Sequence, residues 1–435
     1  MAHHPTTVNL DETFDFTASA KKKIFLTIGL GALLLVLGIV FSMLGGHHGH
    51  EEAAASAHAA GEHHEKATWI VRLIKNLWHN NIFFAGISVM GVFFVAFNYV
   101  AWAGWSSSII RVPAAFGNYL WVAAPLAIIT FLLFGHDLFH WTHEGLYIEG
   151  SEEYDHVLAH KRGFLNTPFF LIRMVVYFAL WLTFFVIIRR YMQNEDITGE
   201  EKWWHKLVII SAGFLVIFGV TSSTSAWDWI MSVDPHWFST MFGWYCFASW
   251  FVSALAIITF IVVVLKENGY LAIVNENHLH DLGKFIFAFS IFWTYVWFEQ
   301  FLLYYYSNLP EEIGYFVTRL KSDAYTPLFF LVLILNFFAP FLILMTRNAK
   351  RQTLILKIIC CVVVVGHWLD FYMMFTPPIL KQEGGLDGIT LFMELGMGLI
   401  FVGIFSYMVL TALSKLALIP KNHPMIQESV HHHVF

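Results

Sequence analysis

Charge is what this sequence has least of: only 13% of its 435 residues are Asp, Glu, Lys or Arg. That is about half the ~25% of a soluble domain, which excludes a water-facing surface over most of the chain. A basic surplus is also missing, since 25 Lys+Arg stand against 31 Asp+Glu and the longest basic run is Lys21-Lys22-Lys23. Nucleic acid is thereby excluded as a partner. The three cysteines, Cys246, Cys360 and Cys361, lie in apolar runs and show none of the spacings that hold zinc, an iron-sulfur cluster or a c-type haem. Any redox centre then sits on a partner or is held by something other than cysteine. Apolar and aromatic residues are what is plentiful: 57% of the chain is hydrophobic, with 44 Phe, 17 Trp and 16 Tyr. Such a chain is neither disordered nor soluble, and the lipid bilayer becomes its solvent.

Apolar runs of about 20 residues occur ten times, at 24–44, 82–104, 119–135, 168–188, 207–231, 239–265, 285–306, 327–346, 353–375 and 389–414. They predict an all-α integral membrane protein with ten transmembrane helices. The first run is too long for the core of a cleavable signal and long enough to span. Ten spans return both termini, residues 1–23 and 415–435, to one side. Of the Lys and Arg outside the spans' centres, 16 fall on that side and 8 on the other, which predicts cytoplasmic termini. The loops 45–81 and 136–167 are then outside.

A repeat runs through the spans. Spans 4 and 8 open with Thr167-Pro168-Phe169-Phe170 and Thr326-Pro327-Leu328-Phe329-Phe330. Spans 5 and 9 carry Asp228-Trp229-Ile230-Met231 and Asp370-Phe371-Tyr372-Met373, each Asp followed seven residues later by a proline, Pro235 and Pro377. Pairs four spans apart share an orientation. The expectation is two parallel four-helix bundles, 82–231 and 239–375, with spans 1 and 10 peripheral.

Arg173, Asp228, Glu299, Lys357, Asp370 and Glu394 fall inside the spans. An ionisable group at depth costs at least about 2.5 kcal/mol, so each needs a partner, a wet cavity or a function. Lys357 can snorkel to the cytoplasmic edge. The other five share one layer in the outer half of the membrane. His367 precedes Asp370 by three residues on the same helix face. Thr221, Thr224, Ser225 and Asp228 form a stripe on span 5, and Tyr295, Glu299 and Tyr306 line up on span 7. Hydroxyls that lead to a carboxyl group are the chemistry of a proton path, because each can donate and accept. The competing reading pairs Arg173 with a carboxylate and ties the hydroxyls to their own helix carbonyls.

Histidine gathers outside. His47, His48, His50, His58, His63 and His64 stand among glutamates in the first outer loop with no metal-site spacing, which predicts a solvated loop. His136, His140 and His143 are spaced i, i+4, i+7 and would share a helix face. Zinc or copper is one reading of them, and a hydrogen-bonded interfacial helix is the other. The terminal run His431–His433 receives no role. A cytochrome b type subunit needs facing histidine pairs within spans, whereas His367 is the one histidine well inside a span, which argues against haem.

The run Ser225-Ala226-Trp227-Asp228-Trp229-Ile230-Met231-Ser232-Val233-Asp234-Pro235-His236-Trp237-Phe238-Ser239-Thr240, with His278-Leu279-His280-Asp281-Leu282-Gly283-Lys284, resembles the F subunit of bacterial alternative complex III. That complex is a quinol:cytochrome c oxidoreductase. Phe292-Trp293-Thr294-Tyr295, Glu299-Gln300, Tyr305-Tyr306-Ser307-Asn308-Leu309-Pro310-Glu311-Glu312 and Gly366-His367-Trp368-Leu369-Asp370 extend the resemblance from about span 2 to span 10. It implies two four-helix bundles related to the polysulfide-reductase membrane subunit, in the bacterial inner membrane. It also implies a similar C-type subunit with the quinol site, an outer iron-sulfur subunit, multihaem and monohaem cytochromes c, and a terminal oxidase as a further partner. The F subunit is often labelled a second quinone-binding subunit. The expected function is a cofactor-free subunit of a respiratory complex that supplies a scaffold and an outer proton pathway. Direct quinol binding, a purely structural anchor and a secondary transporter are the alternatives.

Overall fold

In the computed structural model, which describes residues 11–53 and 68–433, ten helices are long and apolar enough to cross a membrane. They are span 1 (Ala18–Leu44), span 2 (Thr68–Val100), span 3 (Arg111–Leu138), span 4 (Thr167–Thr198), span 5 (Glu201–Val233), span 6 (Phe242–Glu267), span 7 (Glu276–Ser307), span 8 (Thr326–Ile343), span 9 (Thr353–Leu380) and span 10 (Thr390–Leu413). The protein is an all-α, multi-span membrane protein. One isolated bridge, Thr13 to Ala417, joins the two terminal segments. We call the end where they meet the terminal face and the opposite end the far face.

Local signals set the helix ends. Span 4 starts where the Asn166 side chain accepts from the Phe169 amide, with Pro168 in the first turn. A proline there loses nothing, since its missing N–H has no helical partner. Span 8 repeats the device with Pro327. Span 7 opens on a capping box in which Asn275 and His278 satisfy each other's backbone, and it ends at left-handed Asn308 (φ 47°). The two halves of the His278–Lys284 motif thus start a helix and face the terminal side.

Span 2 is the axis of the molecule. Of its most apolar stretch 89% is buried, and it packs against spans 3, 5, 6, 9 and 10. Spans 3 and 5 pack against it and span 4 packs on both of them, while spans 7 and 9 pack on span 6 and span 8 closes on span 9. Span 10 lies against spans 1, 2 and 3. Span 1 has only 11% of its apolar stretch buried, and its main neighbour is span 10. There the backbones almost touch: a Cβ on Gly31 would come within 2.7 Å of the Gly396 carbonyl oxygen. Small residues at such a seam let helices gain van der Waals contact that side chains would block.

Three expectations need correction. Span 2 begins at Thr68 rather than 82, so Arg72, Lys75 and His79 are buried helix residues and not loop residues. His79 is therefore a second histidine well inside a span. The reason is visible in Thr68–Asn81, whose polar residues Arg72, Lys75, Asn76, His79 and Asn80 keep helical spacing but face inward. Of the predicted His-rich loop, His58, His63 and His64 lie outside the described residues. The terminal histidines also have a place: His432 Nε2 is 2.6 Å from Asp281 Oδ2, its carbonyl accepts from Asn275 and Asn277, and Ser429 Oγ is 2.9 Å from His278 Nε2. Span 7 thereby holds the C-terminal tail.

Candidate functional site

The predicted layer of acids resolves into three separate clusters near the far face. In the first half, Arg173 meets Asp228 through two hydrogen bonds, Nε to Oδ2 at 2.7 Å and Nη2 to Oδ1 at 2.9 Å. Its Nη1 donates to the Phe164 carbonyl at 3.0 Å, and its guanidinium lies over the rings of Phe164 and Phe169. Asp228 is fully buried. Both ions are held by a planar, bidentate fit, so this pair is a clasp between spans 4 and 5.

The hydroxyl stripe that leads to Asp228 is bonded to its own helix. Thr221 donates to Ile217, Thr224 to Val220 and Ser225 to Ser222. Thr221 also accepts from Trp181 Nε1 at 2.9 Å. With each donor spent on a carbonyl, the stripe follows the structural reading of these residues. Ser232 donates to the Asp228 carbonyl and accepts from Trp141, and Trp78 donates to the Trp229 carbonyl. Much of the motif around Asp228 is thereby tied to span 2 and to the segment that follows span 3.

Glu394 on span 10 belongs to a second cluster, whose two cations, Arg72 and Lys75, the sequence-based layer does not contain. Lys75 Nζ lies 2.9 and 3.1 Å from its two oxygens, and Arg72 Nη1 lies 3.4 Å away. Lys75 also sits 4.3 Å from the centre of the Tyr372 ring. All three charges are at most 3% exposed. The inward polar spacing of Thr68–Asn81 is the signal that could have found them.

Asp370 on span 9 has the richest surroundings. Tyr245 donates to one carboxyl oxygen, and Ser249 Oγ and Trp293 Nε1 each donate to the other at 3.0 Å. His367 Nδ1 is 2.9 Å from Ser249 Oγ. Because the serine proton goes to Asp370, the histidine is the donor in that contact. A continuous chain results: His367 Nδ1–H to Ser249 O–H to Asp370. His367 Nε2, at the inner end, is buried without a hydrogen-bond partner among the described residues.

On its other side Asp370 borders a cavity of about 20 Å³ that Tyr245, Gln300, Tyr315, Arg319 and Val332 help to line. One water needs about 10–15 Å³ measured this way, so the cavity can hold one beside the carboxyl group. Arg319 is buried to 3% although it sits on the far-face helix Pro310–Leu320. Its Nε donates to the Met373 carbonyl and Nη1 to that of Tyr315, while Nη2 has no partner among the described residues. Outside the spans, burial pushes the Tyr315 hydroxyl up to about 12 against the opposing pull of Arg319. Burial likewise raises Asp234, which Arg319 and His236 oppose.

The remaining predicted residues stay apart from these clusters. Tyr295 is 62% and Tyr306 90% exposed, so their line on span 7 faces away from the bundle. Glu299 beside them is half-buried, with one oxygen unpartnered among the described residues. The inward residue is its neighbour Gln300, which accepts from Ser239 Oγ at 2.9 Å. Lys357 pairs with Glu267 at 2.7 Å near the terminal face.

His136, His140 and His143 do not share a helix face. Span 3 kinks at Phe134 and ends at Leu138, where Phe139 is extended. The rings still gather, with His143 5.5 Å from His136 and 5.8 Å from His140. Their nitrogens point elsewhere, however. His136 Nδ1 meets Thr142 Oγ1 and His143 Nε2 meets the His136 carbonyl. Among the described residues no group of three or more His, Cys, Asp and Glu side chains is arranged to hold a metal ion. Tyr245, Ser249, Trp293 and Arg319 are the site residues that sequence reasoning missed. No family model matches the sequence, and no curated protein matches it.

Proposed function

We propose that this chain is a membrane subunit of a respiratory quinol:cytochrome c oxidoreductase, oriented with the terminal face in the cytoplasm. In this reading it binds no redox cofactor itself. It supplies a scaffold and carries protons through the far, outer half of the membrane by way of Asp370. The observation that carries the proton role is the chain from His367 through Ser249 to Asp370, which opens on a cavity of water size lined by Arg319. Every member can exchange a proton with its neighbour, and the buried carboxyl group is where such a relay stores one. The Arg173–Asp228 and Glu394 clusters serve the scaffold, since each carboxylate is bonded through both oxygens to a buried cation.

Proton-to-electron ratio in vesicles that contain the assembled complex is the test. Asp370→Asn keeps the shape of the side chain and removes its exchangeable acid, so the ratio should fall while the complex still assembles. An assembled complex with an unchanged ratio would refute the proton role.

A second reading, direct quinol binding, draws on a cavity of about 250 Å³ at the far end of spans 4 and 5, among His160, Lys161, Phe164, Trp227 and Trp237. Its volume lies just under the ~300 Å³ lower bound of small-molecule sites. A photoreactive quinone that labels Trp227 and is displaced by quinol would favour this reading over the scaffold.

A further inference from the structure

A cavity of about 830 Å³ lies at the opposite end of the molecule from the Asp370 relay. We propose that it is a binding site for one phospholipid with an amine-bearing headgroup, taken from the leaflet on the terminal face. This inference is independent of the proton role.

Depth argues for hydrocarbon. Along span 6 the cavity is lined from Ala256 to Leu265, nine helical steps or about 14 Å at 1.5 Å each. That is half of a hydrocarbon core about 30 Å thick, so the cavity is one leaflet deep. Phe84 and Phe405 close its inner end, and Val364 and Val409 supply apolar walls from spans 9 and 10. Val365 and Val402, which also line it, are 52% and 41% exposed, so it opens sideways into the bilayer. The volume lies within the ~300–1,000 Å³ range of ligand sites.

Charge is confined to the mouth, where Asp15 and Lys23 line the cavity together with Ser19, Asn268 and Tyr270. The Lys23 ammonium, Ser19 hydroxyl and Asn268 amide are donors suited to a phosphate. The Asp15 carboxylate is suited to an ammonium. A cation and an anion that line one mouth match a zwitterionic headgroup, whereas an isoprenoid quinone offers no charge to either.

The mouth also bears on the size of the occupant. Residues before span 1 cross it as a strap, fixed at one side by the Thr13–Ala417 bridge and at the other by Glu12, which accepts from the Leu271 amide at 2.8 Å. A membrane-crossing helix would have to pass this strap. A lipid, whose headgroup stops at the interface, would not.

The test is native mass spectrometry of the detergent-extracted complex after exchange with vesicles of phosphatidylethanolamine and phosphatidylglycerol, joined with photo-cross-linking from benzoylphenylalanine at Val365. One phosphatidylethanolamine should be retained. Val364→Trp, which fills the cavity, should lower retention about tenfold, and Asp15→Asn should lower the preference for the amine lipid several-fold. The cross-link should carry a phospholipid mass, and it stays informative even where Val364→Trp fails to fold. Equal retention in the folded Val364→Trp variant, no preference between the two lipids, a retained quinone, or a cross-link to a protein chain would each overturn the proposal.

Discussion

Val332 stands six residues after Thr326, the position that Arg173 takes after Thr167, but only Arg173 reaches an aspartate. In the second half the matching position is apolar, and the cation that faces Asp370 across the cavity is Arg319, from a far-face helix. The direct contact of the first half is thus replaced by space. A paired frame has one member closed by an ion pair and the other left with room for water.

Filling that room should disable the second half alone. Val332→Phe adds a ring to the cavity wall, at an overpacking cost of about 1–3 kcal/mol. Under the proposed function, the proton-to-electron ratio of the assembled complex should fall towards that of Asp370→Asn. A normal ratio with the cavity demonstrably filled would detach the relay from function.

The Arg173–Asp228 clasp should behave as a matched buried pair. Arg173→Leu leaves Asp228 uncompensated and should destabilise the protein by about 3–5 kcal/mol. The double substitution Arg173→Leu with Asp228→Leu should recover much of that loss. Apparent melting temperature in detergent, measured for the singles and the double, reads the difference.

These two clusters differ in how much of each the sequence discloses. The ten spans are legible because uninterrupted apolar runs of this length suit little besides a bilayer. Asp228, Asp370 and His367 stand out as polar exceptions within those runs. Tyr245, Ser249 and Trp293 do not, since aromatic residues and serine are ordinary in a membrane helix, and only the packing of spans 6, 7 and 9 directs them at one carboxyl group. Arg72 and Lys75 are hidden by a different effect. Inward-facing polar residues lower the hydropathy of Thr68–Asn81 and make a buried helix read as a loop. The histidine triad shows the converse, for its i, i+4, i+7 spacing presumes a helix that ends at Leu138.

Removing the anion from the second ionic cluster should cost more than removing either cation. Glu394→Gln leaves Lys75 without the carboxylate that bonds it, and an orphaned buried charge costs about 3–5 kcal/mol. Lys75→Met leaves Glu394 with Arg72 and should cost less. Thermal unfolding of the two variants, compared at one detergent concentration, checks the order.

Docking of the C-terminal tail should weaken in mild acid. Burial, followed by the charge of Arg111, lowers His423 to about 4, against about 6.5 when undocked. Its ring packs on Tyr99, with Glu195 and Arg111 near by. Between those pH values the undocked tail binds a proton that the docked tail does not. Docking is therefore fully favoured above about 6.5 and declines as pH falls towards 4, by up to tenfold per pH unit. Hydrogen-exchange protection of residues 421–433, corrected for intrinsic rates, should fall from pH 7 to 5, and His423→Gln should flatten the dependence.

The strap before span 1 also sets an order of events during synthesis. Asp11 pairs with Lys421, 410 positions away, and Glu12 and Thr13 dock on Leu418 and Ala417. The first described residues to leave the ribosome bind some of the last. At about 5–20 residues per second, the strap waits tens of seconds for its seat. Its closure is a post-translational step, and a nascent chain halted after span 10 would have every membrane span but no latch.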